Sequence, residues 1–182
     1  MGRYRWDKKR TVEECKSIST TFLKKYDYFC GSKWGGMKWT NSMGEETGSI
    51  GFSVHANEWD GEIRFQYTQT QRHNGEKEDL DYPVQLAATP CNYGGKRWWF
   101  TCPLVVSGRV CQGRVLKLYL GGGKYFGCRH CYNLTYTSCQ EHDARVDWLR
   151  KNPDLLAQML NKKDPLPSFL ALKAAMKLKG WT

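Results

Sequence analysis

Between residues 84 and 139 this chain has no aspartate and no glutamate. The same 56 residues carry seven basic side chains, Lys96, Arg97, Arg109, Arg114, Lys117, Lys124 and Arg129. A stretch without carboxylates cannot assemble an acidic magnesium site, and its positive field invites polyanions. Nor does any apolar run approach the ~20 residues that cross a bilayer as a helix, so no membrane partner is expected. The basic N-terminus, MGRYRWDKKR, is followed by no apolar segment of the kind a secretory signal needs, which makes a cytoplasmic protein the expectation. The sequence also lacks a phosphate-loop motif, an H-E-x-x-H and a G-x-S-x-G, and it shows no internal repeat.

What is present is aromatic, basic and rich in cysteine. Of 182 residues, 25 are Trp, Tyr or Phe, and the net charge is +10. Residues 1–83 balance 13 basic against 13 acidic side chains, so the whole excess lies beyond them. A basic surface of this kind fits nucleic acid, or else an acidic or nucleoprotein partner.

Eight cysteines without a secretion signal point to metal rather than disulfides. Cys128 and Cys131 form a C-x-x-C, the spacing at which one turn presents two thiolates to one tetrahedral ion. Cys102 and Cys111 form the other pair, separated by PLVVSGRV, a wide loop whose closure adds little. One structural Zn²⁺ on Cys102, Cys111, Cys128 and Cys131 is the favoured reading; Cys91, His130, Cys139 and His142 are competing ligands. Four thiolates leave no open coordination position, so the ion is expected to be non-catalytic. Cys15 and Cys30 read as buried free thiols.

The fold class expected is α+β: an antiparallel β-meander domain followed by a zinc ribbon and a C-terminal helical tail. Residues 1–10 form a basic arm, 11–90 a short helix plus the β domain, 91–139 the ribbon and 140–182 a basic helical tail. Thr11 is read as the N-cap of a helix ending near Lys25. Strands follow with Trp34, Met37 and Trp39, then Ile50, Phe52 and Val54. Ile63, Phe65 and Tyr67 alternate after an Asp60-Gly61 turn, and Tyr82, Val84 and Leu86 continue the pattern. His55 and His73 read as surface residues. In the tail, helices are expected over residues 144–151 and 153–160, and a third is capped by Ser168 and ended by Gly180.

The segments TPCNYGGKRWWFTCP, CQGRVLKLYL and YFGCRHCYNLTYTSCQE resemble a family of largely uncharacterised bacterial and mobile-element zinc-ribbon proteins. The likeness takes in TVEEC and SIGFSV as well, so it covers residues 11–142. Cys111-Gln112-Gly113-Arg114 departs from that family's Cys-Gly-Arg-Arg-type knuckle in the loop and not in the ligand. The resemblance implies the ribbon and a phage or transferable-DNA source, and it carries no established activity.

The function expected is non-catalytic binding of DNA or RNA through the ribbon and tail. Lys96, Arg97, Arg114, Lys117, Lys124 and Arg129 would meet phosphates; Trp99, Tyr125 or Tyr132 would stack on bases. The alternative is an inhibitor or adaptor docking onto a host or phage nucleoprotein complex, with a homodimer through the C-terminal helices also in view. A nuclease would have to use Glu58, Asp60 and Glu62, acids around a turn that read as solvated.

Overall fold

The period-2 alternation read from the sequence becomes a curled antiparallel sheet in an α+β protein. The structure, a computed structural model, describes residues 8–70, 75–140, 142–161 and 165–178. The chain divides into two compact units, Met1–Thr135 and Tyr136–Thr182.

In the first unit, β1 (Lys16–Ser19) leads directly into α1 (Thr20–Lys25). Then come β2 (Gly31–Thr40), β3 (Glu46–Ala56), β4 (Asp60–Thr70), β5 (Lys77–Pro90) and β6 (Lys96–Thr101). The short strands β7 (Val105–Val106), β8 (Arg109–Val110), β9 (Arg114–Val115) and β10 (Lys117–Leu120) follow. Strands β2 to β6 pair in chain order as a meander, and β9 adds to β6 as a sixth strand. Two-stranded pairs β1–β10 and β7–β8 complete the strands.

Register explains which face is buried. Val54 sits opposite Ile63, which sits opposite Val84; Phe52, Phe65 and Tyr82 form the next row; Leu86 pairs with Phe100. These cross-strand apolar rows lie on one face and are the unit that stabilises the sheet. Ile18, Leu23, Leu118 and Phe126, from β1, α1, β10 and the loop after it, pack into the same core. Residues 11–90 and 91–135, expected to lie in separate domains, belong to one unit and one sheet, because β5 and β6 form a single hairpin across the expected boundary.

The opposite face of the sheet is polar. Between β3 and β4 the pairing stops at Gly51 and Gln66, and a cleft of about 1430 Å³ opens there, lined in part by Arg10, Lys16, Trp39 and Gln69. The Lys16 ammonium reaches across to the Thr47 carbonyl, a charge that guards an otherwise open strand edge.

Three expectations are corrected. Thr11 caps no long helix: it bridges to Thr135, residues 16–19 pair with β10, and Ser19 caps the short α1 by accepting the Phe22 N–H at 3.1 Å. The tertiary pairing of β1 outweighs a helical pattern over residues 11–19. The strand expected with Trp34, Met37 and Trp39 is β2, in which Trp34, opposite Ser53, lies on the polar face at 87% exposure while Met37 opposes Ile50. The β3–β4 turn is Asn57 to Asp60, closed by the Asn57 N–H on the Asp60 carbonyl at 2.8 Å, so Asp60 and Gly61 already belong to β4. Cys30 is exposed, while Cys15 is half-buried and donates its S–H to the Thr11 carbonyl. His55 is exposed, at 2.8 Å from the Ser32 hydroxyl, and His73 lies outside the described residues.

A knot of tyrosines joins sheet and loop. The Phe126 N–H donates to the Tyr82 hydroxyl at 2.8 Å, and Tyr67 donates to the Lys124 carbonyl. Burial pushes both the Tyr67 and Tyr82 phenols above their ordinary range. A raised phenol means that the folded state holds the proton longer than the unfolded chain does. Below about pH 10 both states are protonated and stability is intact; above it the unfolded chain ionises first and stability falls. Urea midpoints should hold from pH 8 to 9.5 and drop by pH 11, and Tyr67→Phe should flatten that drop. Equal slopes for the two proteins would contradict this account.

The second unit holds α2 (Thr137–Gln140), α3 (Ala144–Arg150), α4 (Pro153–Asn161) and α5 (Pro165–Leu178). Asp143 caps α3 through the Arg145 N–H at 3.0 Å, and Val146, Leu149, Leu156, Ala171 and Ala174 make its core. The third expected helix starts three residues before Ser168, because proline is tolerated in a first turn whose N–H groups have no intrahelical partner. Its expected end at Gly180 lies outside the described residues. Among the described residues no helix is long and apolar enough to cross a membrane.

Candidate metal centre

Two chain reversals bring four thiols together. Cys102 follows the last residue of β6 and is fully buried. Its N–H donates to the Gly113 carbonyl at 3.0 Å, and the Cys111 N–H donates to the Leu104 carbonyl at 2.9 Å, so the loop between them closes on itself. Within that loop β7 and β8 form a hairpin turned by Ser107 and Gly108, both at positive φ (51° and 75°). The C-x-x-C enters through the antiparallel bridge between Tyr119 and Gly127.

Backbone N–H groups are aimed at the sulfurs, as they are in a metal knuckle. The Cys128 N–H donates to Cys102 Sγ at 3.2 Å, and the Cys131 N–H donates to Cys128 Sγ at 3.4 Å. The Gly113 N–H beside Cys111 lowers that thiol, whereas burial pushes Cys102 up to about 11 and raises Cys131. Burial disfavours the thiolate at Cys102 and Cys131, and a cation at the site would offset that cost, since a coordinated thiol is deprotonated outright.

The four sulfurs lie within 4.8 Å of one another. Cys102 and Cys131 are 3.8 Å apart, and Cys111 and Cys128 are 3.9 Å apart. Metal–sulfur bonds of about 2.3 Å in a tetrahedron require sulfurs about 3.8 Å apart, whereas a disulfide requires about 2.05 Å. The donor set fits a metal ion and not two disulfides. It is the quartet expected from the sequence. Of the competing ligands, Cys91 lies in the β5–β6 turn, His130 is exposed in the knuckle, and Cys139 and His142 belong to the second unit. His142 lies 3.0 Å from the Asp147 carboxylate.

The basic residues fare unevenly. Lys96 pairs with Glu58 at 3.0 Å and lies over the Trp59 ring at 4.3 Å. Lys124 pairs with Glu78 at 2.7 Å. Both carboxylates come from the neutral half of the chain, and the sheet folds them onto the acid-free stretch. The other turn acids are held too: Asp60 accepts from Asn57 and Glu62 from Gln85. Arg97, Trp99 and Arg114 lie on the polar face of the sheet, Arg97 and Trp99 alternating with the buried Trp98 and Phe100, and Arg114 opposite Thr101. Arg97 lies over the Trp99 ring at 5.8 Å, and the indole N–H donates to Thr89 at 2.9 Å. Lys117 is exposed on β10, Arg129 is half-buried, and Tyr125 packs edge-on against Tyr82. Tyr132 donates to the Tyr125 carbonyl, and its ring lies against Gly121 and Gly123, which holds it in place. In the tail, Asp147 gathers Arg150 at 3.5 Å and Lys177 at 3.8 Å, and Asp143 takes Arg145. Lys162, Lys163 and Lys179 lie outside the described residues.

Sequence reasoning missed the carboxylates that neutralise Lys96 and Lys124, since long-range register alone brings them there. It counted Arg109 in the acid-free basic stretch but did not place it among the phosphate contacts; Arg109 follows the turn of the exposed hairpin. Comparison of the chain with protein families, with curated proteins and with solved structures found no match.

Proposed function

We propose that the protein is a non-catalytic zinc-ribbon protein that binds nucleic acid through the polar face of its sheet. The single observation that carries this reading is the strip of Arg97, Trp99 and Arg114, with Lys117 nearby, in a stretch without one carboxylate. Lys96 and Lys124, held by Glu58 and Glu78, contribute less, because a paired cation gains little from a phosphate. The ion is zinc, held by Cys102, Cys111, Cys128 and Cys131: an all-sulfur tetrahedron selects zinc or iron–sulfur chemistry, and a closed site suits a structural ion. Phage or mobile DNA as the source, and a cytoplasmic location, belong to the same reading.

Binding is tested by titrating labelled nucleic acid at rising salt. Affinity should fall steeply, because each neutralised phosphate releases counterions. The double variant Arg97→Ala/Arg114→Ala should lower the slope of log K against log salt by about 2, and Lys124→Ala should leave it near the parent value. A salt response that is flat for the parent protein would end the reading.

A second reading, a docking protein for another chain, draws on one observation in the second unit. Helix α5 buries Ala171 and Ala174 but leaves Phe169, Leu172 and Met176 exposed at helical spacing. Self-association through this face would give a dimer mass in light scattering that Leu172→Glu abolishes.

A further inference from the structure

The β7–β8 hairpin projects three large apolar side chains, Val105, Val106 and Val110, at 60%, 44% and 55% exposure. Every residue from Val105 to Val110 is exposed. Exposed aliphatic groups on a defined strand pair mark a contact surface more often than chance. The hairpin is also stiff. Its turn residues Ser107 and Gly108 both take the left-handed conformation that matches the twist of a two-residue hairpin. Its base is fixed by Cys102 and Cys111 on one centre. Leu104 is seated against Gly127, where a Cβ would overlap its Cδ1.

Register gives the hairpin two different sides. Val105 faces Val110, and Val106 faces Arg109, so one side is apolar and the other carries a cation. At about 3.3 Å per residue the tip stands up to about 16 Å from Cys102. The major groove of B-form DNA is about 12 Å wide and about 8.5 Å deep, and it admits a two-stranded ribbon. A-form RNA offers a major groove too narrow and deep for one. Cys102 directly follows Thr101, the cross-strand neighbour of Arg114, so the hairpin continues the basic strip of the sheet.

We propose that the hairpin of residues 103–110 enters the major groove of a B-form DNA duplex, with Val105 and Val110 against thymine methyl groups and Arg109, on the other side, on the phosphates at the groove edge. This rests on the nucleic-acid reading above and adds to it the choice of DNA over RNA and of duplex over single strand. The held indole of Trp99 agrees, because a ring already covered by Arg97 offers bases a poor stacking platform.

The test uses the full-length, metal-loaded protein with three probes of one sequence: a 20-base-pair DNA duplex, the RNA duplex and the single DNA strand. The DNA duplex should bind at least tenfold more tightly than either other probe at equal salt. Arg109→Glu and the pair Val105→Ser/Val110→Ser should each weaken duplex binding at least tenfold while metal content and melting temperature stay unchanged; these side chains are exposed, so the fold does not need them. Equal affinity for DNA and RNA duplexes overturns the proposal. So do hairpin variants that bind duplex like the parent, and in that case the sheet-face reading still stands. Hairpin variants that lose self-association and keep DNA binding would assign the ribbon to a protein contact instead. A parent protein that binds none of the probes removes both readings together.

Discussion

If the four cysteines hold zinc as proposed, a Cys128→Ser variant will lose that ion and, with it, the folded state of the whole first unit, not of the cysteine loops alone. Structural zinc on thiolates contributes roughly 10–16 kcal/mol of apparent binding free energy near neutral pH, comparable with or greater than the total stability of a small domain. Cys128 is buried, its sulfur accepts the Cys131 N–H, and its N–H donates to Cys102, so the substitution breaks the site at its centre. The effect spreads because Phe100, Leu118 and Phe126, which flank the site in sequence, are buried in the same core as Ile63 and Phe65. Metal analysis should read about one zinc per chain for the parent and near zero for the variant. Thermal unfolding of the first unit should show one transition, shifted by tens of degrees or abolished, and chelator should have the same effect on the parent. Cys91→Ser, the same chemistry in the β5–β6 turn, should leave both readouts unchanged. A variant that keeps its sheet and loses only the ribbon signal would mean that the two parts fold separately.

Truncating Phe126 to alanine should destabilise the protein by about 3–5 kcal/mol, the range for a large ring removed from a packed core. Phe126 is fully buried and joins its loop to two strands: its ring lies 5.5 Å from Phe65 and 5.6 Å from Tyr67, both of β4, and 6.1 Å from Trp39 of β2. It also sits two residues before Cys128, so the core and the knuckle are tied together there. The Phe126 N–H bond to Tyr82 survives the change, which isolates the loss to packing and the cavity left behind. Phe126→Leu should cost less, about 1–2 kcal/mol, because most of the volume is kept. Urea unfolding decides it, with zinc content as the control. A loss below about 1 kcal/mol for the alanine variant would show that the ring is not the joint described here.

Much of this was legible one residue at a time. Alternation alone identified Ile50, Phe52, Val54, Ile63, Phe65, Val84 and Leu86 as the buried side of a meander, since a strand has only two faces and one must be apolar. The clustering of the four cysteines was legible too, because two thiols three residues apart can hardly avoid facing one site. Residues 144–151 and 153–160 read as helices, the second through the proline in its first turn. The error at residues 11–19 has a different origin: a four-residue strand such as β1 has no periodicity long enough to rival a helical pattern, and only its partner β10, a hundred residues away, decides it.

The sequence by itself determined the alternation, the cysteine spacing and the absence of acid from residues 84–139, all properties of near neighbours along the chain. Tertiary structure alone decided which cations remain available to a polyanion. Register across β4, β5 and β6 sets Glu58 on Lys96, and the loop after β10 sets Lys124 on Glu78, while Arg97 and Arg114 are left on the open face. Charge along a chain is a sum over neighbours in sequence, but the field that a ligand meets is a sum over neighbours in space.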